Sequence, residues 1–480
     1  MLLALIILPL LAAVAIFFGS PARLTTLAAA VINLVLGVFA VACPDFAGTF
    51  SILVLADPAI HLSLGLDGMS SVMLLLSVIV TLAATLSGTC PEGKEKLWFS
   101  SILLIAAGAI GAFISTDLFF FSAFHELALI PTFLMMGILG RGGNDRVAIA
   151  WKATVYLAFG SIVLLAGLLL AATQLDSFAF SDLKAVGEHQ NAIALLLIIG
   201  FGTLVSLFPL HSWAAPAYAS APAPIAMLHA GVLKKFGLYG LLRVGLAVAP
   251  EGMQHWLNLL LVLLLGNIIW VGFVTINQKN LSTMLGNSSV MHMGYIFLAI
   301  AAAIGTGGVI FTADGALTLA ASAAVLLMFA HGISIALSFS LADRIESKTG
   351  TLELNKLGGL AKTAPKLAFL FGLAGMASIG LPGLANFAGE IMVFFSGFQG
   401  WTPDQPLGPV QITTMIAIWG VVMSAVYMLR AFRQTFQGPL EAKCENATDL
   451  TILEKAPAAL LALVLLAVGL YPNLLLNLLK

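Results

Sequence analysis

Fourteen apolar runs, most of them close to 20 residues long, follow one another along the chain and leave little between them. They fall at 2–19, 24–43, 66–88, 97–115, 117–140, 148–173, 190–209, 222–248, 255–277, 281–304, 313–341, 364–398, 409–432 and 456–478. Each approaches the ~20 residues that a helix needs to cross the hydrocarbon of a bilayer. A lipid-exposed backbone must satisfy its own hydrogen bonds, and a helix does this within one segment. The pattern therefore predicts an all-α polytopic membrane protein of about 14 transmembrane helices. Composition agrees: 60% of the residues are hydrophobic and 9% charged, against roughly 25% charged in soluble domains. Connections are short except 44–65, 174–189, 342–363 and 433–455. Met1–Gly19 lacks a basic leader and a small-residue cleavage site, so it is expected to be the first membrane helix rather than a removed signal.

If the runs alternate in direction, 15 Lys and Arg residues, among them Arg23, Lys94, Arg141, Arg344 and Arg433, fall on one side. The other side keeps Lys184, Arg243 and Lys480. Basic loops stay in the cytoplasm, which predicts both termini outside a bacterial-type inner membrane. A missed span would scramble this bias.

Two runs carry helix breakers. Span seven ends Leu207-Phe208-Pro209-Leu210-His211-Ser212-Trp213, and span twelve contains Gly380-Leu381-Pro382-Gly383-Leu384-Ala385-Asn386. Backbone freed at membrane depth is tolerated where protein or a wet cavity satisfies it. Breaks at corresponding places in two halves point to inverted repeats, and these two lie five spans apart. The expected organisation is one membrane domain: N-terminal helices over 1–96, a first five-helix repeat over 97–248, a second over 255–432, and a loop with a final helix over 433–480.

Ionisable residues sit deep in this apolar sequence. Lys234 and Lys235 lie in mid-span, where a lysine costs about 2.5–3.5 kcal/mol on insertion scales and marks a functional site by default. Glu126, His292, His331 and Glu390 lie in four further spans. Glu126 has apolar neighbours on both sides in sequence, which predicts burial, and the proton affinity of a buried carboxylate depends on whether a cation is near. His292 and His331, each a lone histidine that could equally be a satisfied core residue, gain meaning from the series, because imidazole titrates near neutral pH. The predicted proton pathway is Glu126, Lys235, His292, His331 and Glu390. His125, His211, His229 and Lys234 are secondary candidates: adjacent residues point about 100° apart on a helix, so Lys234 and Lys235 cannot both face one wet axis, nor need His125 pair with Glu126. Asp67, at the start of its span, suits a helix cap as well as a site.

No nucleophile elbow, phosphate loop, dinucleotide fingerprint or metal-spaced histidine pair occurs. Cys43, Cys90 and Cys444 lack the spacing of a zinc or iron–sulfur site. Net charge is −1, which offers nothing to a nucleic acid.

The quoted segments resemble the antiporter-like proton-pumping subunits of respiratory complex I, most closely its subunit M (chain 4). The resemblance is carried by Gly65-Leu66-Asp67-Gly68-Met69-Ser70, by Phe124-His125-Glu126-Leu127 through Pro131, and by Pro209-Leu210-His211-Ser212-Trp213. The stretch Ala230-Gly231-Val232-Leu233-Lys234-Lys235-Phe236-Gly237 through Arg243 is the most specific. Ser288–Gly294, Ala330-His331-Gly332, Leu381-Pro382-Gly383, Asn386 through Glu390, and Gly469-Leu470-Tyr471-Pro472 complete it. It implies a proton-translocating subunit of an NADH–quinone oxidoreductase, with Lys235 at the family lysine's position and Glu390 as the subunit M carboxylate. It implies that this chain binds no cofactor, that NADH, FMN, iron–sulfur clusters and quinone sit on partner subunits, and that it works among other membrane subunits in a lipid bilayer. Three positions depart from the family: Leu204 replaces the seventh-helix lysine that usually pairs with Glu126, Ala215-Pro216 replaces a Pro-Asp, and Ser282 replaces a lysine. A multi-subunit cation/proton antiporter, a membrane-bound hydrogenase subunit and a non-pumping paralogue are the alternatives.

Overall fold

The structure is a computed structural model and describes residues 1–56, 59–143, 145–313 and 315–480. Its long helices are α1 (Leu2–Phe17), α2 (Ala22–Ala42), α3 (Gly68–Thr85), α4 (Glu95–Ile114), α5 (Leu118–Leu139), α6 (Asp145–Ala172), α7 (Gln190–Val205) and α8 (Ala223–Val248). They continue as α9 (Leu257–Ile276), α10 (Leu281–Gly305), α11 (Leu319–Thr349), α12 (Pro365–Ile379), α13 (Ala385–Ser396), α14 (Pro409–Phe436) and α15 (Ile452–Leu470). Eleven of these are long and apolar enough to cross a membrane; α1, α7, α12 and α13 are shorter apolar helices.

The connection at 44–65 departs from an all-helical chain. Phe50–Ala56 (β1) and Ala59–Leu64 (β2) pair antiparallel, with Phe50 opposite Leu64 and Ser51 opposite Ser63. The continuous Ile52-Leu53-Val54-Leu55 run of β1 and the alternating Ile60, Leu62 and Leu64 of β2 are too few to span a bilayer, but they suit short strands whose pairing satisfies much of their backbone.

Burial sorts the bundle into centre and rim. The apolar windows of α8 and α11 are buried throughout, and that of α10 nearly so, whereas α2, α5, α6, α14 and α15 show most of theirs. Both breaker sequences interrupt helices. α7 stops at Val205, followed by Ser206 in the left-handed region (φ 69°) and the short helix Ala214–Ser220. The Asn267 side chain closes this gap: its Oδ1 accepts from the Phe208 N–H at 2.7 Å, and its Nδ2 donates to the carbonyls of Ser206 at 3.0 Å and Val290 at 2.9 Å. The second gap lies between α12 and α13, with Gly380 and Gly383 at φ 79° and 89°.

Charged side chains tie the basic end together. Arg141, after α5, meets Asp343 at 2.7 Å and Glu346 at 2.6 Å on α11, and donates to the Ala221 carbonyl at 3.2 Å. Lys348 of α11 meets Glu454 of α15 at 3.0 Å.

Candidate proton-transfer site

The centre of the bundle gathers four of the five predicted pathway residues. Lys235, His331, His292 and Glu390 are at most 4% exposed. Lys235 sits between two wider π-turns of α8, His229–Leu233 and Leu241–Gly245, a local irregularity frequent at functional sites. Small residues let α11 come close there: a Cβ on Gly332 would lie 2.6 Å from the Gly231 carbonyl oxygen. At that approach Lys235 Nζ reaches His331 Nδ1 at 2.9 Å and donates to the Ala230 carbonyl at 2.7 Å.

The series continues from α11 to α10 and α13. The His331 and His292 rings are 5.5 Å apart between centroids, and His292 Nε2 lies 3.8 Å from Glu390 Oε1. His292 also places Nδ1 at 2.8 Å from the Ser288 carbonyl and Nε2 at 2.9 Å from the Ser378 carbonyl, the latter at the second helix gap. Both ring nitrogens thus face carbonyl oxygens, and a Glu390 carboxyl oxygen lies beside Nε2. That carboxylate lies against Gly380, where a Cβ would be 2.1 Å from Glu390 Oε2. Among the described residues, His331 Nε2 and Glu390 Oε1 are buried without a hydrogen-bond partner.

Lys234 turns elsewhere. Its Nζ lies 3.5 Å from Ser289 Oγ and 5.3 Å from the centroid of the Tyr218 ring. His229 meets the Tyr218 hydroxyl at 3.3 Å. His211 stacks on Phe208.

Glu126 corrects the expectation of burial. Its side chain is 52% exposed on the rim of α5, receives a hydrogen bond from Ser161 at 2.5 Å, and lies 3.7 Å from His125 Nδ1. Nearly every neighbour on α5 is apolar, so hydropathy alone could not tell rim from centre. Leu204 is buried and offers no charge to it. His125 is buried and stacks 3.9 Å from Phe236, the residue after Lys235, which places it between Glu126 and the central series.

Other polar groups escaped the sequence reading: Tyr427 bonded to Ser288 at 2.8 Å, and Asn386 donating to Ser334 Oγ at 3.2 Å, which in turn donates to the His331 carbonyl at 3.1 Å. A lone Tyr or Asn in an apolar run was the available signal.

These features define a polytopic helical membrane protein with ionisable groups strung through its interior. More particularly, the chain belongs to the NADH:quinone oxidoreductase/Mrp antiporter transmembrane family, whose pattern it matches over residues 115–403. It is similar to NAD(P)H-quinone oxidoreductase chain 4 1 of Synechococcus sp. (strain JA-3-3Ab), 34% identical over 425 residues that cover 86% of this chain and 77% of that one. NAD(P)H-quinone oxidoreductase chain 4 2 of Microcystis aeruginosa is 36% identical over 390 residues, 79% of this chain and 67% of that one. Among solved structures, a chain of respiratory complex I from Thermus thermophilus superposes with a TM-score of 0.87 at 26% identity, covering 100% of this chain and 98% of that one. A chain of the Mrp complex from Dietzia sp. DQ12-45-1b shares the fold, with a TM-score of 0.83 at 21% identity over 99% and 95%.

Proposed function

We propose that this chain is a proton-translocating membrane subunit of an NADH–quinone oxidoreductase, moving protons while quinone is reduced on partner subunits. The observation that carries it is the buried series Lys235, His331, His292 and Glu390, in the centre of a chain whose relatives are named quinone oxidoreductase chains. NADH, FMN, iron–sulfur clusters and quinone belong, in this reading, to those partners.

The chemistry is proton transfer between adjacent groups. The Lys235 ammonium gives a proton to His331 Nδ1 and becomes an amine. His331 releases a proton from Nε2 through bridging water, and the Glu390 carboxylate beside His292 takes it as a carboxylic acid. Separating charges in low dielectric is costly, so a change at one member biases its neighbour. Glu126, with His125 between it and α8, is the outlying member of the pathway.

The fold supports fourteen spans. The eleven long helices are joined by α1, by α7 with its broken extension, and by α12 with α13 as one interrupted crossing. The two gaps then fall in spans seven and twelve, as two inverted five-helix repeats require. The basic loops face the cytoplasm and both termini the outside.

The test uses inside-out membrane vesicles containing the assembled complex. Lys235→Ala should lower proton uptake per NADH oxidised while the complex stays assembled; unchanged uptake refutes the pathway. Sodium-dependent transport without NADH oxidation, with antiporter chains co-purifying instead of flavin and iron–sulfur subunits, supports the cation/proton antiporter alternative.

A further inference from the structure

At the basic end of the bundle, away from the series just described, lies a cavity of about 410 Å³. Its wall brings together Arg23 of α2, Glu95 and Trp98 of α4, Arg344 of α11, and Leu453 and Glu454 of α15. Arg344 is 8% exposed, and its Nε is buried without a hydrogen-bond partner among the described residues. Two carboxylates stand near it, both beyond hydrogen-bond reach. Asp343 Oδ2 lies 3.9 Å from Nη2, and Glu454 Oε1 3.7 Å from Nη1. Another cation holds each of them more closely: Arg141 meets Asp343 at 2.7 Å, and Lys348 meets Glu454 at 3.0 Å.

A guanidinium carries five N–H donors and cannot shed its charge. Burying it with donors unpaired is costly, so the cavity it lines is where an acceptor belongs. The planar fork of an arginine matches the oxygens of a phosphate group. Arg23, exposed and in no ion pair among the described residues, adds a second cation to the same wall. The lining is not basic overall, because Glu95 and Glu454 balance the two arginines. A ligand bringing only negative charge would upset that balance, whereas one with an ammonium beside its phosphate keeps it. Glu95 accepts from the Gly93 N–H through Oε1 at 3.2 Å, which leaves Oε2 to meet a cation. Leu24, beside Arg23, and Ile452 and Leu453, beside Glu454, are exposed apolar side chains. Charged groups flanked by exposed leucines, with a tryptophan in the wall, mark the boundary between water and lipid.

We propose that this cavity binds the headgroup of a zwitterionic aminophospholipid, phosphatidylethanolamine in type, from the leaflet on the side of the basic loops. Arg344 and Arg23 take the phosphodiester, Glu95 takes the ammonium, and the acyl chains lie along the exposed leucines. Pockets between membrane helices that carry basic side chains are suited to lipid headgroups in this way. The site draws on α2, α4, α11 and α15, so a lipid seated there ties the N-terminal helices to the end of the helix that bears His331. It requires that the chain lie in a bilayer and is independent of whether the chain pumps protons.

The test is native mass spectrometry of this chain released from the assembled complex. The complex is first stripped of lipid in detergent, then incubated with phosphatidylethanolamine, phosphatidylglycerol or phosphatidylcholine of identical acyl chains. The unaltered chain should carry a phosphatidylethanolamine adduct. Arg344→Gln should lower its occupancy about tenfold, the order of losing a hydrogen bond to a charged group. Arg23→Gln, at an exposed position where assembly is not at stake, should lower it as well. No adduct on the unaltered chain, or equal occupancy in both variants, overturns the proposal. A preference for phosphatidylglycerol shows a plain anion site, and equal binding of phosphatidylcholine removes the part given to Glu95; either result overturns the headgroup assigned. Loss of the adduct in excess inorganic phosphate shows a site for soluble phosphate and overturns the lipid.

Discussion

Lys234 and Lys235 are neighbours in sequence, yet their amines meet different groups. Lys235 bonds a histidine of α11 and a carbonyl of its own helix; Lys234 meets a serine of α10 and an aromatic ring. Lys235→Ala is therefore expected to reduce pumping by about tenfold or more, as for loss of a proton-transfer group, and Lys234→Ala to reduce it less; an equal or larger loss in Lys234→Ala reverses the assignment. Glu126 poses a different problem, because a carboxylate half exposed at membrane depth is costly next to lipid. Glu126→Gln keeps the Ser161 contact and removes the charge. It is expected to lower proton uptake per NADH without dissociating the complex, which native electrophoresis of the same vesicles checks.

At the scale of elements, the two helix gaps stand because particular side chains satisfy them. Asn267 serves three backbone groups across the gap after α7, and His292 reaches a carbonyl at the gap before α13. Asn267→Leu keeps the volume and leaves those groups unpaired, at about 1–3 kcal/mol each; a clear fall in the thermal midpoint of the detergent-solubilised complex is the expected result. Gly332 has a comparable role between helices. With a Cβ there 2.6 Å from the Gly231 carbonyl oxygen and 2.7 Å from Leu76 Cδ1, Gly332→Val must push α11 away from α8. Overpacking of this kind costs about 1–3 kcal/mol, and it should separate Lys235 from His331, so pumping should fall even in the fraction that assembles.

For the whole molecule, sidedness is the quantity to measure. Ser181→Cys lies in an exposed stretch between α6 and α7, and Lys94→Cys in an exposed connection at the opposite end. In a chain with Cys43, Cys90 and Cys444 replaced by serine, an impermeant thiol reagent should reach the first from outside and the second from the cytoplasmic side; the reverse pattern inverts the orientation. Much of the helical architecture was legible in the sequence, because apolar length is a local property. The strand pair Phe50–Ala56 and Ala59–Leu64 was not, since four or five apolar residues in a long connection suit a loop as well as a strand. The position of Glu126 was not either, because a helix that is apolar on every face carries no periodicity to orient it. Nor were Ser161, Tyr427 or Asn386, whose roles depend on helices distant in sequence.

By itself, the order of residues determined that the chain is a helical membrane protein, where its helices break, and which few ionisable groups lie within apolar runs, since transfer into lipid is decided residue by residue. Tertiary structure alone decided which of those groups meet. Contact between Lys235, His331, His292 and Glu390 depends on how closely α8, α10, α11 and α13 pack, and that is set by glycines and side-chain shapes contributed from distant segments. The same packing left Glu126 on the rim.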